Sequence, residues 1–193
     1  MRLIDITRTL QDAPVYPGDE PTAVTRVSPP DASYRVSRIV TGSHAGTHAD
    51  ACSHYFADGA AIDEMPLTHY YGDCRVLSVD GERLIGADAL SGRLTGVTRL
   101  VLHTGGERYL TPEAAAYMLA SGVITVVTDA PSVAPPEDET PVHRLLLRGG
   151  VAIVENVTLD GVPDGDYTLA AFPLKVGGCD GAPVRAALVS ADK

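Results

Sequence analysis

Residues 44 to 54 read His44-Ala45-Gly46-Thr47-His48-Ala49-Asp50-Ala51-Cys52-Ser53-His54. The chain has six histidines in 193 residues. Composition alone would put roughly 0.3 of a histidine in a window of that length. The window holds three, together with Asp50. Neutral imidazole and carboxylate are the donors that borderline divalent metals such as zinc favour. His44, His48, Asp50 and His54 are separated by four, two and four positions. On an extended segment all four face one side. On a helix the i, i+4 pairs also converge. Gly46 and the β-branched Thr47 make a poor helix, so the expectation is a strand end or loop, followed by a helical turn carrying Asp50 and His54. A polar loop or hydrogen-bonded core histidines would account for one such residue more easily than for four donors at converging spacing. The H-E-x-x-H pattern of helical zinc proteases is absent.

The elements around this segment mix strands and helices. Strands are expected at Leu3 to Thr7, Thr22 to Val27, Tyr34 to Thr41, Gly72 to Val79 and Thr98 to Thr104. Further strands are expected at Ile124 to Thr128, Val151 to Asn156, Tyr167 to Pro173 and Val184 to Val189. Thr111 is a good N-cap and Pro112 suits a first helical position, so Thr111 to Ala120 reads as a helix closed by Gly122. Gly86 to Leu90 and Pro141 to Leu147 read as shorter helices, and Ala130 to Thr140 as a Pro- and acid-rich loop. Without strict β-α-β alternation, these elements imply an α/β or α+β sheet fold in one domain over residues 1–193.

Composition narrows the function classes. A 45% apolar, 21% charged chain is typical of a folded soluble protein. A net charge of −10 argues against nucleic-acid and anionic-membrane partners. Cys52, Cys74 and Cys179 are odd in number and widely spaced, which argues against a disulfide framework. Asp5 interrupts the apolar start of the chain, so it does not read as a signal peptide. Cytoplasmic residence is expected.

The pattern H-x-G-T-H-x-D-x-P-x-H fixes seven positions over eleven residues. Residues 44 to 54 match it, except that Cys52 stands at the usual proline. By this motif the chain resembles the cyclase family of metal-dependent hydrolases, which includes the bacterial kynurenine formamidases (arylformamidases). The likeness extends to Tyr16-Pro17-Gly18-Asp19, Asp58-Gly59, His143 to Leu147, Val154-Glu155-Asn156-Val157, Pro173-Leu174-Lys175 and Asp180 to Arg185.

The resemblance implies a swivelling β/β/α domain with a mixed central sheet, as a homodimer or higher homo-oligomer. It implies two divalent ions, zinc with manganese as the alternative. His44, His48 and Asp50 would hold one. Asp50 would bridge to a second, held also by His143 and Glu155. His54 would be the acid/base residue. The implied reaction is hydrolysis of an aryl formamide such as N-formylkynurenine by metal-activated water. Opening of a cyclic amide of the isatin type, or of a lactone, is the alternative on the same site. A non-catalytic metal-binding protein is the alternative of another class. Glu155 closes an apolar run, where a carboxylate is costly unless paired or metal-bound. Tyr16 stands where kynurenine formamidases commonly carry tryptophan, and a tyrosine can still stack on an aniline ring. His69 and His103 are expected in surface or core roles. A small buried side chain is expected of Cys52, and Asp129 and Ser132 are expected either beside the site or in a turn.

Overall fold

The structure is a computed structural model that describes residues 1–190; the last three residues of the expected 1–193 domain lie outside the described residues. Short β-branched and leucine-rich runs form the strands. In chain order these are β1 (Arg2–Asp5), β2 (Ala23–Arg26), β3 (Ser37–Val40), β4 (His48–Asp50), β5 (Tyr71–Ser78), β6 (Leu84–Ile85), β7 (Arg99–His103), β8 (Tyr109–Leu110), β9 (Thr125–Thr128), β10 (Ala152–Glu155), β11 (Gly165–Ala170), β12 (Gly181–Pro183) and β13 (Ala187–Ser190). The α-helices are α1 (Ala87–Leu90), α2 (Pro112–Ala120) and α3 (Thr140–Arg148).

Nine strands form one mixed sheet in the order β1-β13-β11-β5-β7-β9-β10-β4-β12. Its centre, β5-β7-β9-β10, is parallel. Antiparallel strands flank it on both sides, with β11, β13 and β1 on one and β4 and β12 on the other. This is the expected α/β class with a mixed central sheet.

Alternation along the parallel strands sorts side chains into two cores. Leu100, Leu102, Val126 and Ile153 face the helices and pack with Leu90, Met118 and Leu146. Val101, Val127, Ala152 and Val154 face the other way, into a cluster with Ile6, Leu169 and Leu188. A one-residue slip in any of these strands would exchange the two sets.

The helices follow their sequence signals. Thr111 caps α2 by accepting from the Ala114 amide at 3.2 Å, and Pro112 opens it. In α3 the buried residues Val142, His143, Leu146 and Leu147 form one stripe. Each of the two fully buried leucines stabilises its docking by roughly 2 kcal/mol. His143 is thereby carried on an apolar face and delivered to the sheet.

Two expectations change. Asp50 is not on a helical turn but ends β4, because that strand is paired on both sides, with β10 and with β12. A 3-10 turn, Cys52–His54, follows and carries His54. The strand expected from Val184 to Val189 is interrupted, with β12 ending at Pro183 and β13 starting at Ala187. Between them the Val184 amide donates to the Thr47 carbonyl (2.9 Å) and the Ala186 amide to Thr7 Oγ1 (2.8 Å), so the backbone is satisfied off the sheet.

Candidate metal centre

β4 and β10 place the site through their register. His48 pairs with Glu155 and Asp50 with Ile153, so His48, Asp50 and Glu155 lie on one face of the sheet. That face is the one covered by α3, which adds His143. All four side chains are buried. Asn156, directly after Glu155, has a left-handed φ of +60°. Asparagine tolerates that conformation better than most residues, and the kink ends the strand at Glu155. Thr47 fastens the corner: its hydroxyl donates to the Asn156 carbonyl at 2.8 Å and accepts from the Arg8 amide at 2.9 Å.

Two ring orientations are fixed by backbone carbonyls. His48 Nδ1 bonds the Gly46 carbonyl at 2.9 Å, and His143 Nδ1 bonds the Glu139 carbonyl at 2.9 Å. Both rings therefore turn Nε2 toward the carboxylates. His48 Nε2 lies 3.3 Å from Glu155 Oε2 and 3.5 Å from Asp50 Oδ1. His143 Nε2 lies 3.3 Å from Glu155 Oε1 and 3.6 Å from Asp50 Oδ2. A carbonyl on one ring nitrogen and an inward-facing second nitrogen is how metal-ligating histidines are oriented.

His44 stands at the front of this cradle. Its Nδ1 is 2.9 Å from Asp50 Oδ1 and its Nε2 is 3.0 Å from Asp180 Oδ2. Gly181 makes room for it, since a Cβ there would lie 2.8 Å from His44 Cε1. His54 is more exposed, with Nδ1 3.4 Å from Asp180 Oδ2 and its ring centroid 4.1 Å from that of His44. The Asp58-Gly59 turn supports its 3-10 turn directly: a Cβ on Gly59 would lie 2.6 Å from the Cys52 carbonyl carbon.

Electrostatics make this cluster a trap for positive charge. Burial of His44 opposes its protonation, but Asp50 and Asp180 outweigh it and hold its pKa at about 9. Burial likewise opposes protonation of His143, and Glu155 and Asp50 hold it at about 9. His48 is also raised, burial again being outweighed by Glu155 and Asp50. Burial pushes Glu155 up, while His143 and His48 pull it well below the usual carboxylate range. His54 goes the other way: its burial outweighs the pull of Asp50 and Asp180 and lowers its pKa. Without an ion, protons on the rings balance the carboxylates, and cations bound there would displace them.

The donor set fits divalent ions. Asp50 Oδ2 is buried with no hydrogen-bond partner among the described residues. An oxygen in that state is costly unless something positive faces it. His44, His48 and Asp50 offer donor atoms within 4.8 Å of one another, as do Asp50, His143 and Glu155. These are the two sets expected from sequence, sharing Asp50. A third group, His44, His54 and Asp180, meets the same criterion.

A cavity of about 460 Å³ opens onto the cluster, lined also by Tyr16, Tyr55, Ser132 and Glu139. Tyr55 stacks on His143, with ring centroids 5.0 Å apart and planes at 19°. Tyr16 is brought to this cavity from the Pro-Gly loop at the other end of the sequence.

Known proteins resemble this chain in sequence and, separately, in fold. The family model described as "Putative cyclase" matches residues 4–135. A kynurenine formamidase of Geobacillus thermodenitrificans is 38% identical over 96% of this chain and 96% of its own. The chain belongs to the cyclase family. A solved structure described as a potential metal-dependent hydrolase with cyclase activity superposes with a TM-score of 0.85 at 26% identity, over 100% of this chain and 99% of that one. An isatin hydrolase bound to the product analogue thioisatinate shares the fold, with a TM-score of 0.84 at 22% identity over 98% and 92% of the two chains.

In this cyclase-family chain the remaining residues sort plainly. Cys52 Sγ donates to the Leu147 carbonyl at 3.4 Å and belongs to none of the three donor groups. It is half-buried rather than fully buried. Asp129 closes the turn after β7, accepting from the Thr104 amide at 2.7 Å and the Gly105 amide at 3.1 Å, while Ser132 lines the cavity. His69 Nε2 bonds the Gly150 carbonyl at 3.0 Å and His103 lies 3.8 Å from Asp129, both away from the cluster. Sequence reasoning left Asp180, Tyr55 and Glu139 without roles. Asp180 had a signal, since it opens the matched Asp180-to-Arg185 segment. Tyr55 had a weaker one, its place next to His54. Glu139 had none within its acidic loop.

Proposed function

We propose that this chain hydrolyses an aryl formamide of the N-formylkynurenine type to formate and the free amine at a centre for two divalent ions. His44, His48 and Asp50 would hold one ion, and Asp50, His143 and Glu155 the other. The observation that carries this reading is the buried Oδ2 of Asp50, which has no hydrogen-bond partner among the described residues and lies between two converging donor sets. Full-length likeness to a kynurenine formamidase supports the substrate class, and likeness to a metal-dependent hydrolase supports the chemistry. Zinc suits this histidine and carboxylate set, with manganese as the alternative. Bound there, such ions supply Lewis acidity toward a carbonyl oxygen and lower the pKa of water.

The chain's own residues do the rest. Asp50 Oδ1 lies beside His44 and His48 and Oδ2 beside His143, so its two oxygens would serve the two donor sets separately. His48 and His143 present Nε2 because their Nδ1 atoms are held by carbonyls. His54 Nε2, which has no hydrogen-bond partner among the described residues, would carry a proton to the departing nitrogen, while Nδ1 faces Asp180. Tyr16 and Tyr55 supply aromatic surface for an aniline ring.

We read residues 1–193 as one domain and the protein as cytoplasmic, consistent with three free cysteines. Among the described residues, no helix is long and apolar enough to cross a membrane. A homodimer or higher homo-oligomer is supported by β2–β3, a separate two-stranded sheet with Val24 and Ile39 paired and exposed. Such a hairpin is marginal in water on its own.

The test is a substrate panel on protein reconstituted with zinc or manganese. Turnover of N-formylkynurenine well above that of isatin and simple lactones supports the reading. Faster opening of isatin overturns the substrate assignment, and no hydrolysis of any amide or lactone overturns the enzyme.

A further inference from the structure

Four carboxylates face the cavity: Asp19, Asp50, Glu139 and Glu155. Among the described residues that line it there is no lysine or arginine. Asp50 and Glu155 are engaged with the histidines. Glu139 is not: its Oε1 is buried and lacks a hydrogen-bond partner among the described residues.

Glu139 occupies the N-cap position of α3, yet its side chain makes no cap hydrogen bond. Its backbone carbonyl holds His143 Nδ1, which fixes the residue beside the cluster. The carboxylate reaches the aromatic part of the cavity. Burial raises the Tyr16 hydroxyl, and Glu139 raises it further by charge and hydrogen bonding. Burial and then Glu139 charge also raise Tyr55, to about 12. Asp19, from the same loop as Tyr16, adds a second carboxylate on that side.

A buried carboxylate oxygen is costly to leave unsatisfied. Helix capping is not what retains this one. A donor arriving with the substrate would satisfy it, and at the end of the cavity where Glu139 stands with Asp19 and Tyr16, without lysine or arginine in the lining, that donor is best a cation.

We propose that Glu139 is a specificity-determining residue that accepts a hydrogen bond from a protonated amino group carried on the substrate, apart from the amide that is cleaved. The inference rests on the aryl-formamide reading and narrows it to aryl formamides whose side chain carries an ammonium group, alone or beside a carboxylate. N-formylkynurenine carries one on its amino-acid side chain. A substrate that presents only a carboxylate finds like charges at this end of the cavity and is disfavoured.

The experiment compares N-formylkynurenine with its des-amino analogue, identical except that hydrogen replaces the amino group, on zinc-loaded wild type, Glu139→Gln and Glu139→Asp. The kcat/KM ratio of the two substrates should favour the amine in the wild type. It should fall about tenfold in Glu139→Gln, through KM. Glu139→Asp, which keeps the charge, should recover part of it. A ratio that is unchanged in Glu139→Gln overturns the proposal. If the wild type turns over neither compound, the hydrolase reading fails, and calorimetric titration with kynurenine and des-amino kynurenine still decides this one. Tighter binding of kynurenine that is lost in Glu139→Gln supports the role, and equal binding of the two overturns it.

Discussion

His48, Asp50, His143 and Glu155 form the back wall of the site, and His54, Asp180, Tyr16 and Glu139 form its mouth. The back wall stands on paired strands and on the apolar stripe of α3, and every member is buried. The mouth stands on turns and loops, and its members are half-buried or exposed. Behind the back wall lies a core in which Ile153 and Leu146 leave little freedom, whereas the mouth residues adjoin solvent. In the proposed reading the side chains that would hold ions are carried by the sheet and α3, and those that would meet a substrate by turns and loops. Each wall should therefore fail in its own way when altered.

The largest effect is expected from Glu155→Ala. It removes the carboxylate from His48, His143 and the Val133 amide together. Breaking a buried charge cluster by deleting one partner costs about 3–5 kcal/mol. The variant should lose metal and turnover and unfold at lower temperature, as read by elemental analysis, activity and calorimetry. His54→Ala should separate the walls: metal content and melting temperature stay near wild type, while kcat falls about 10²–10⁴-fold. Full activity in that variant would remove His54 from its role. Asp180→Asn should give a smaller fall in kcat, about tenfold, because Asp180 lies outside the two donor sets that share Asp50 and hydrogen-bonds His44 and His54. Tyr16→Phe should be mildest, with KM raised a few-fold and stability within about 0.5 kcal/mol, since the side chain is 39% exposed. A large loss of stability there would show that the mouth is built like the back wall.

The back wall was the more legible part in sequence. His48 and Asp50, with His44 in front of them, betray themselves by type and spacing, because β alternation acts over a few residues. His143 and Glu155 needed the family motif, because their approach to Asp50 depends on the pairing of β4 with β10 and the docking of α3. No local pattern encodes those contacts. The placement of Asp50 on a strand was missed for the same reason, since a three-residue strand is fixed by its neighbours. At the mouth, Asp180 lies 136 positions from its partner His44. Glu139 is one acid in an acidic loop and becomes distinctive only through the burial of one oxygen. Most strands and helices were legible, because their apolar runs, the Thr111 cap and Pro112 are local signals.

In the proposed function Asp50 joins two ion sites. Metal-free protein titrated with zinc should bind two ions per chain, with activity rising in step with occupancy. Asp50→Ala should bind neither tightly, while His143→Ala should keep one. Full turnover with a single ion bound, or two ions retained in Asp50→Ala, would contradict it.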